Sequence, residues 1–503
     1  MKLVDARLVE AELVEAPGPS CTPYQKLCPH PNGLSHEQVA AHQRKRLSRA
    51  IVESVDRYGY DATTVGRLCG VAGVSKRAFY ELFTGKPDCF ALAYEQIVCA
   101  AVRQAAAAQR ARPRGRDALG AAIASLLEAA AKAPEAASFV LIHALGSTPV
   151  ALRRSEWAAS SIETVIVGCL EHDRPPLSPA LRRGILAGII GVAQARLIEG
   201  RAEELPLLAG ELLEWAWACV RAVTRYGLGS PRPRLAQSEH PEVRLARPRT
   251  NAHRRRLDCC RWAAAVDSTV SAPPNGMPAA LVDGAGLRDE HARVLRSAIA
   301  LAAHEGVSAL TVEALALDAG VPTRRVCSAF ESAEECLLEA LNAASERLLD
   351  KALSAGAAVG WAQGGTACAA LSLLVSLAGE PDLARVAFVE ALGVGPAAIR
   401  QRVSLCSGSA PRLVSASGSA CPAKRSPVAF EAGVGAVWGL VERHVSLGAT
   451  ERLPRLLAPA CLLMGMPTIG IPETRTRPVV GRMPRHRREV ISPNASVMAS
   501  STS

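Results

Sequence analysis

The sequence predicts an all-α protein built as two tandem units, each a small helical head followed by a helical bundle. Three observations carry that prediction. Hydrophobic residues make up 49% of the 503 positions but aromatics only 4%, so Ala, Leu and Val must fill the core, a mix that favours helix over sheet. Apolar residues recur at helical spacing, as in "RKRLSRAIVESVDRYG", where Leu47, Ala50, Ile51, Ser54 and Val55 share one face. The third observation is that the chain repeats itself.

A shift of 247 positions carries Gly59 to Gly306, Thr64 to Thr311, Leu68 to Leu315, Ala72-Gly73-Val74 to Ala319-Gly320-Val321, Phe83 to Phe330 and Cys89 to Cys336. It runs on through Pro134 and Pro381, Ala144-Leu145-Gly146 and Ala391-Leu392-Gly393, and Pro149 and Pro396. With one further residue, Gly200 and Leu205-Pro206 match Gly448 and Leu453-Pro454. Stacked solenoid repeats have periods of about 20 to 50 residues, so each copy here is a domain pair rather than a repeat unit. The resulting divisions are an N-terminal extension (1–35) expected to be disordered, a head (36–96), a bundle (97–228), a basic disordered linker (229–286), a second head (287–343), a second bundle (344–467) and a basic disordered tail (468–503).

In the first copy, the helix through Leu47 and Val55 ends at Gly59, as a C-terminal glycine ends one. Thr63 or Thr64 offers an oxygen to cap a second helix, Thr64 to about Val71, with Val65 and Leu68 facing inward. Gly73 makes a turn. Ser75 caps a third, short helix that buries Phe79 and Leu82 and leaves Lys76, Arg77 and Tyr80 on the other surface. Helical patterns then follow near 116–131, 135–145, 149–171, 178–199 and 203–226, the last two apolar enough to pack against equivalent helices.

A formal charge of +11 and a pI near 9.1 make a polyanion such as nucleic acid a candidate partner. Within 229–262, nine Arg stand against Glu239, Glu242 and Asp258. The opening "MKLVDARLVEAELVEAPGPS" carries acidic residues where a secretory signal would be apolar. The longest apolar run, 184–195, is far short of the roughly 20 residues of a membrane span. The expectation is a soluble, cytoplasmic protein, associated with the nucleoid if DNA is its partner, and with no membrane partner. The fifteen cysteines show no metal-ligand spacing. Cys69, Cys89, Cys99 and Cys336 read as buried free thiols, and Cys259 and Cys260 in the basic linker leave room for redox or metal chemistry. No GxSxG, GxxxxGK[ST] or HExxH motif is present, so neither an enzyme nor a cofactor is expected.

A short helix with small polar and basic residues at its start can enter a DNA major groove, while amides at helix starts and Thr, Tyr and Lys side chains hold phosphates. The same residues also suit a capped helical hairpin with solvated charges. Leu47 to Ile97 resembles the DNA-binding domain of the tetracycline-repressor (TetR) family, through "TTV", "AGVSKRAFYELF" and "GKPDC". The rest of each copy resembles that family's ligand and dimerisation domain. The resemblance implies a one-component transcription regulator, usually a repressor, that binds double-stranded DNA and is relieved by a small-molecule effector. It implies pairing of the two copies within the chain or of two chains. Carried onto this sequence, it makes Thr64 and Tyr80 phosphate contacts, Lys86 a phosphate clamp, and Ser75, Lys76, Arg77 and Ala78 the base-facing edge, with Thr63 beside them; Phe79 and Phe83 are core. Phe139, His143 and Trp157 are candidates to line an effector pocket, with ordinary packing as the alternative.

The second head departs from this pattern. Tyr80 becomes Cys327, Phe79 becomes Val326, Lys86 becomes Ala333 and Ser75 becomes Pro322. Residues 36–96 hold nine Lys/Arg and seven Asp/Glu, whereas 283–343 hold five and ten. The expectation is DNA reading mainly by the first head. The other reading is a ligand sensor or scaffold of the same fold with little DNA binding.

Overall fold

The computed structural model describes residues 35–112, 115–144, 149–169, 177–226, 287–361, 364–417 and 426–464. The extension before residue 35, the linker with Cys259 and Cys260, and the tail lie outside these residues. Every regular element among the described residues is helical, and no single helix there is long and apolar enough to cross a membrane.

The first head is α1 (His36–Tyr58), α2 (Val65–Ala72), α3 (Lys76–Leu82) and the start of α4 (Lys86–Arg110). Each boundary has a local cause. Ser35 and Gln38 form a reciprocal capping box at the start of α1. Gly59, at φ +80°, ends α1. Thr64 Oγ1 accepts from the Arg67 N–H at 3.2 Å to cap α2. Gly73 then turns the chain left-handed at φ +60°, so that the Val74 N–H reaches back to the Cys69 carbonyl (3.0 Å). Ser75 caps α3 through the Ala78 N–H (3.1 Å). Leu47, Ile51, Leu68, Phe79, Phe83, Phe90 and Tyr94 close over this geometry as one apolar core.

The first bundle adds α5 (Arg116–Lys132), α6 (Pro134–Ser138), α7 (Pro149–Gly168), α8 (Pro179–Ile198) and α9 (Ala209–Tyr226). The single helix expected over 135–145 is instead α6 running into a π-helical turn at Phe139–His143. The wider turn changes which residues face inward, and Phe139 is fully buried against Phe90 of α4. The helix expected from residue 203 opens as a 3-10 segment, Ala202–Leu208, where Pro206 has no N–H to give an α-helical bond.

The second half repeats these elements in the same order. Its head is α10 (Leu287–Glu305), α11 (Val312–Ala319), α12 (Thr323–Ala329) and the start of α13 (Ala333–Val359). The bundle is α14 (Gly365–Gly379), α15 (Pro381–Phe388), α16 (Pro396–Ser417), α17 (Pro427–Ser446) and α18 (Leu457–Leu463). Local geometry recurs too. Gly306 and Gly320 have φ of +85° and +62°, and the Cys336 thiol lies 3.9 Å from the Val294 carbonyl, as Cys89 lies 3.8 Å from that of Leu47.

The two bundles share one core, in which α8 packs along α17 and α9 reaches α18. Small residues let the helices approach. An atom added at Gly188 would stand 2.5 Å from the Ala432 carbonyl oxygen, and one added at Gly191 would stand 3.4 Å from Gly435 Cα. Trp215 Nε1 donates to the Leu463 carbonyl at 2.8 Å. Arg196 grips Glu431 through two N–H···O bonds of 3.1 and 2.9 Å, and Arg402 joins Glu442 (3.1 Å) to Gln194 (3.3 Å).

Candidate nucleic-acid interface

The turn at Gly73 sets α3 across α2 and brings residues from both onto one exposed edge. Thr64, Gly66, Ser75, Lys76 and Arg77 are all exposed there. Tyr80, at 59% exposure, projects beside them although its ring sits edge-on to the buried Phe79 ring, 5.4 Å between centroids. The Lys76 stem runs past Gly66, with Cε 3.6 Å from where a Cβ would stand. Arg77 is 90% exposed and meets Glu81 one turn on at 3.0 Å. An exposed pair of that kind is worth little, so the guanidinium can leave it for a stronger acceptor. Ala78 is half-buried at the back of this edge.

Lys86 opens α4 and is anchored rather than extended. Its Nζ donates to the Tyr60 carbonyl at 2.9 Å and sits 4.0 Å from the Tyr60 ring centroid. Burial holds its pKa below the usual lysine value, with Asp61 opposing. An ammonium has three donors, so two remain for a phosphate at this helix start. Thr63 requires a correction. Its side chain is buried, at 1% exposure, and its hydroxyl donates to the Gly59 carbonyl at 2.7 Å. It closes the loop between α1 and α2 and has no face toward a ligand, because the loop's backbone needs that donor.

Two cations at this edge escaped the sequence reading. Arg67 lies 4.2 Å over the Tyr58 ring and donates to the Ala62 carbonyl at 2.6 Å. Its position one turn beyond the Thr64 cap could have revealed it. Arg46, on α1, donates to the Gly73 carbonyl at 3.3 Å and, with Arg49, Glu53 and Val71, lines a groove of about 220 Å³ between α1 and α2. No local pattern places it there, since its partner is 27 residues away.

The exposed capped helix after the left-handed turn and the lysine at the next helix start both lie within the stretch that the sequence comparison matches. Residues 48–93 match the bacterial regulatory proteins of the tetR family. Among solved structures, the transcriptional regulator FadR from Bacillus subtilis, in complex with stearoyl-CoA, is similar at 16% identity, over 34% of this chain and 96% of that one, with a TM-score of 0.33. A TetR family transcription regulator from Marinobacter aquaeolei VT8 is similar at 19% identity, over 35% of this chain and 97% of that one, with a TM-score of 0.30. No curated protein matches the chain.

The second head differs from the first at most of these positions. Thr311 still caps α11 through the Ala314 N–H (3.1 Å), but Pro322 at the start of α12 makes no side-chain cap. Arg325 is drawn back to Glu290 of α10 at 3.3 Å, and Arg324 is exposed. Cys327 is exposed where Tyr80 stands, and Ala333 is buried where Lys86 stands. Glu331, Glu334 and Glu335 surround that helix start, exposed, with the Glu335 carboxylate accepting the Glu331 N–H at 2.6 Å.

Phe139 and His143 share the π-helical turn, and Ala158, next to Trp157, belongs to the same apolar core as Phe139. Phe139 belongs to the head core, its ring 4.3 Å from that of Phe90. His143 lies 3.8 Å from Asp56 of α1, and burial lowers its pKa against that carboxylate's pull. Trp157 is 43% exposed. The cysteines read as core behave as such at Cys69, Cys89 and Cys336, which are buried; burial pushes the latter two up to about 12. Cys99 is only half-buried.

Proposed function

We propose that the chain is a TetR-type DNA-binding transcription regulator, a repressor in which the first head reads double-stranded DNA and a small-molecule effector held among the bundle helices relieves it. The observation that carries this reading is the exposed edge of Thr64, Ser75, Lys76, Arg77 and Tyr80 on two capped helices, with Lys86 at the next helix start. Three kinds of donor converge there: hydroxyls at helix caps, a phenol and cations, which is the set that positions a recognition helix on phosphates and lets it probe base edges.

The halves are the products of a tandem duplication that pair with each other, α8 and α9 of the first taking α17 and α18 of the second as a dimer would take its twin. The matched glycine turns and the shared core support this. The pair places two heads on one body, and an effector that alters the bundle alters how the heads present themselves.

Selection of bound duplexes from a randomised library by the full-length chain tests the reading. Lys86→Ala is expected to lower the salt dependence of binding by about one phosphate equivalent. Arg77→Ala is expected to cost about 1–3 kcal/mol and relax one base position. Unchanged salt slope and sequence preference in both variants, or no enriched duplex, would refute it.

A further inference from the structure

We propose that each chain reads a single, non-palindromic half-site: its internal pair presents one reading head and one silent head, and its interface rejects the pairing that would join two reading heads. The inference rests on the DNA-reading role and the duplication proposed above.

The silent head follows from the geometry of α12 and α13. A symmetric pair of helix-turn-helix heads grips two half-sites a helical turn apart and so demands a palindrome. Here the second head offers no phenol at Cys327 and no ammonium at Ala333. Its side of the phosphate track carries Glu331, Glu334 and Glu335 instead, all exposed. Of its two recognition-helix arginines, both exposed, Arg325 meets Glu290 at 3.3 Å, an exposed pair as weak as that of Arg77, so the silence of this head rests on the missing phenol and ammonium and on the three carboxylates. Carboxylates set against phosphates oppose docking at any orientation that brings α12 to a groove.

The interface adds an independent reason. Helices α8 (Pro179–Ile198) and α17 (Pro427–Ser446) correspond end to end under the shift that carries Gly200 to Gly448. That register makes Arg183 the counterpart of Glu431, and Trp215 the counterpart of Leu463. Within the chain, Arg196 finds Glu431 at 2.9 Å. In a pair of two first halves the same Arg196 would find Arg183 of the other copy, and Arg183 and Arg182 already share Glu163. The Leu463 side chain lies so close to Gly184 that a Cβ added there would clash with it; in a pair of two first halves the larger indole of a second Trp215 would have to fill that place. Like charges and an overfilled seam reject that partner, while the second half supplies a carboxylate and a smaller side chain. Specificity of this kind comes from what is built against the wrong partner as much as from contacts with the right one.

The full-length chain, used to select from randomised duplexes about three helical turns long, decides the matter when combined with sedimentation of the complex. The expected result is an enriched motif without inverted symmetry, one chain per duplex, and Arg324→Ala/Arg325→Ala binding within about twofold of the parent while Lys76→Ala/Arg77→Ala loses tenfold or more. An inverted-repeat motif, two chains per duplex, or a tenfold loss in the Arg324/Arg325 variant would overturn the inference while leaving DNA reading intact. Failure to enrich any duplex would overturn the DNA-reading role itself, and this inference with it.

Discussion

Replacing Gly188 by alanine asks whether the crossing of α8 and α17 is as tight as it looks, and the answer is carried by a sign. In an exposed helix interior, alanine is favoured over glycine by about 0.8–1 kcal/mol. At Gly188 the new Cβ would lie 2.5 Å from the Ala432 carbonyl oxygen and against the Trp215 ring. An ordinary contact needs about 3.4 Å, so the helices must part by roughly 0.9 Å to clear the Ala432 carbonyl, and the Trp215 ring must give way as well. A radial gap of about 0.5–1 Å forfeits a quarter to a half of each dispersion contact it opens, and overpacking of this kind costs about 1–3 kcal/mol. Setting the helix preference against that cost leaves a destabilisation of up to about 2 kcal/mol. Gly408 is the control: it is exposed within α16 and an added Cβ there meets nothing within 4 Å, so Gly408→Ala should be neutral or stabilising. Urea unfolding of both variants by circular dichroism measures the difference. Stabilisation by Gly188→Ala equal to that by Gly408→Ala would show that the seam is loose and refute the packing argument.

Three further outcomes follow from buried groups in the first half. Thr63→Ala removes the donor to the Gly59 carbonyl (2.7 Å) and should cost about 1 kcal/mol in urea unfolding with no change in the salt slope of DNA binding; a reduced slope would restore Thr63 as a phosphate contact. Phe139→Ala opens a cavity beside Phe90 at a fully buried site and should cost about 3–5 kcal/mol in the same assay, whereas a loss under 1 kcal/mol would place the ring at a pocket wall. Because burial depresses the His143 pKa below 6.5 in the folded chain, the unfolded chain binds the extra proton first as pH falls. Stability should therefore drop below about pH 6.5, level off once the folded pKa is passed, and drop less in His143→Gln; identical pH profiles for parent and variant would remove His143 from the account.

The heads were the legible part of this chain because their boundaries are written in local chemistry. Thr64, Gly73 and Ser75 each act within three or four residues of their own position, so sequence alone places α2 and α3 and the exposed edge between them. Thr63 misled for the same reason: a hydroxyl beside a hydroxyl looks like a pair, and only the path of the loop back to Gly59 shows that one of them is consumed. Arg46 was invisible because it acts across the fold, from α1 onto the turn. The bundle was legible as helices but not as contacts. A π-helical turn at Phe139–His143 shifts the inward face with no residue to announce it, and it packs Phe139 against Phe90 as core. The Arg196–Glu431 pair spans 235 positions, a distance over which periodicity carries no information.

The seam between α8 and α17 also changes how such a regulator would respond to its own abundance. Separate chains must find each other, so below their dissociation constant the number of assembled pairs falls as the square of chain concentration. Here both partners are synthesised together, and the local concentration of one half around the other is fixed by covalent connection, independent of how many chains the compartment holds. Occupancy of a site would then rise in simple proportion to copy number, without a threshold. A cell holding only a handful of these chains would keep every one of them assembled, and dilution at division would halve the response rather than quarter it.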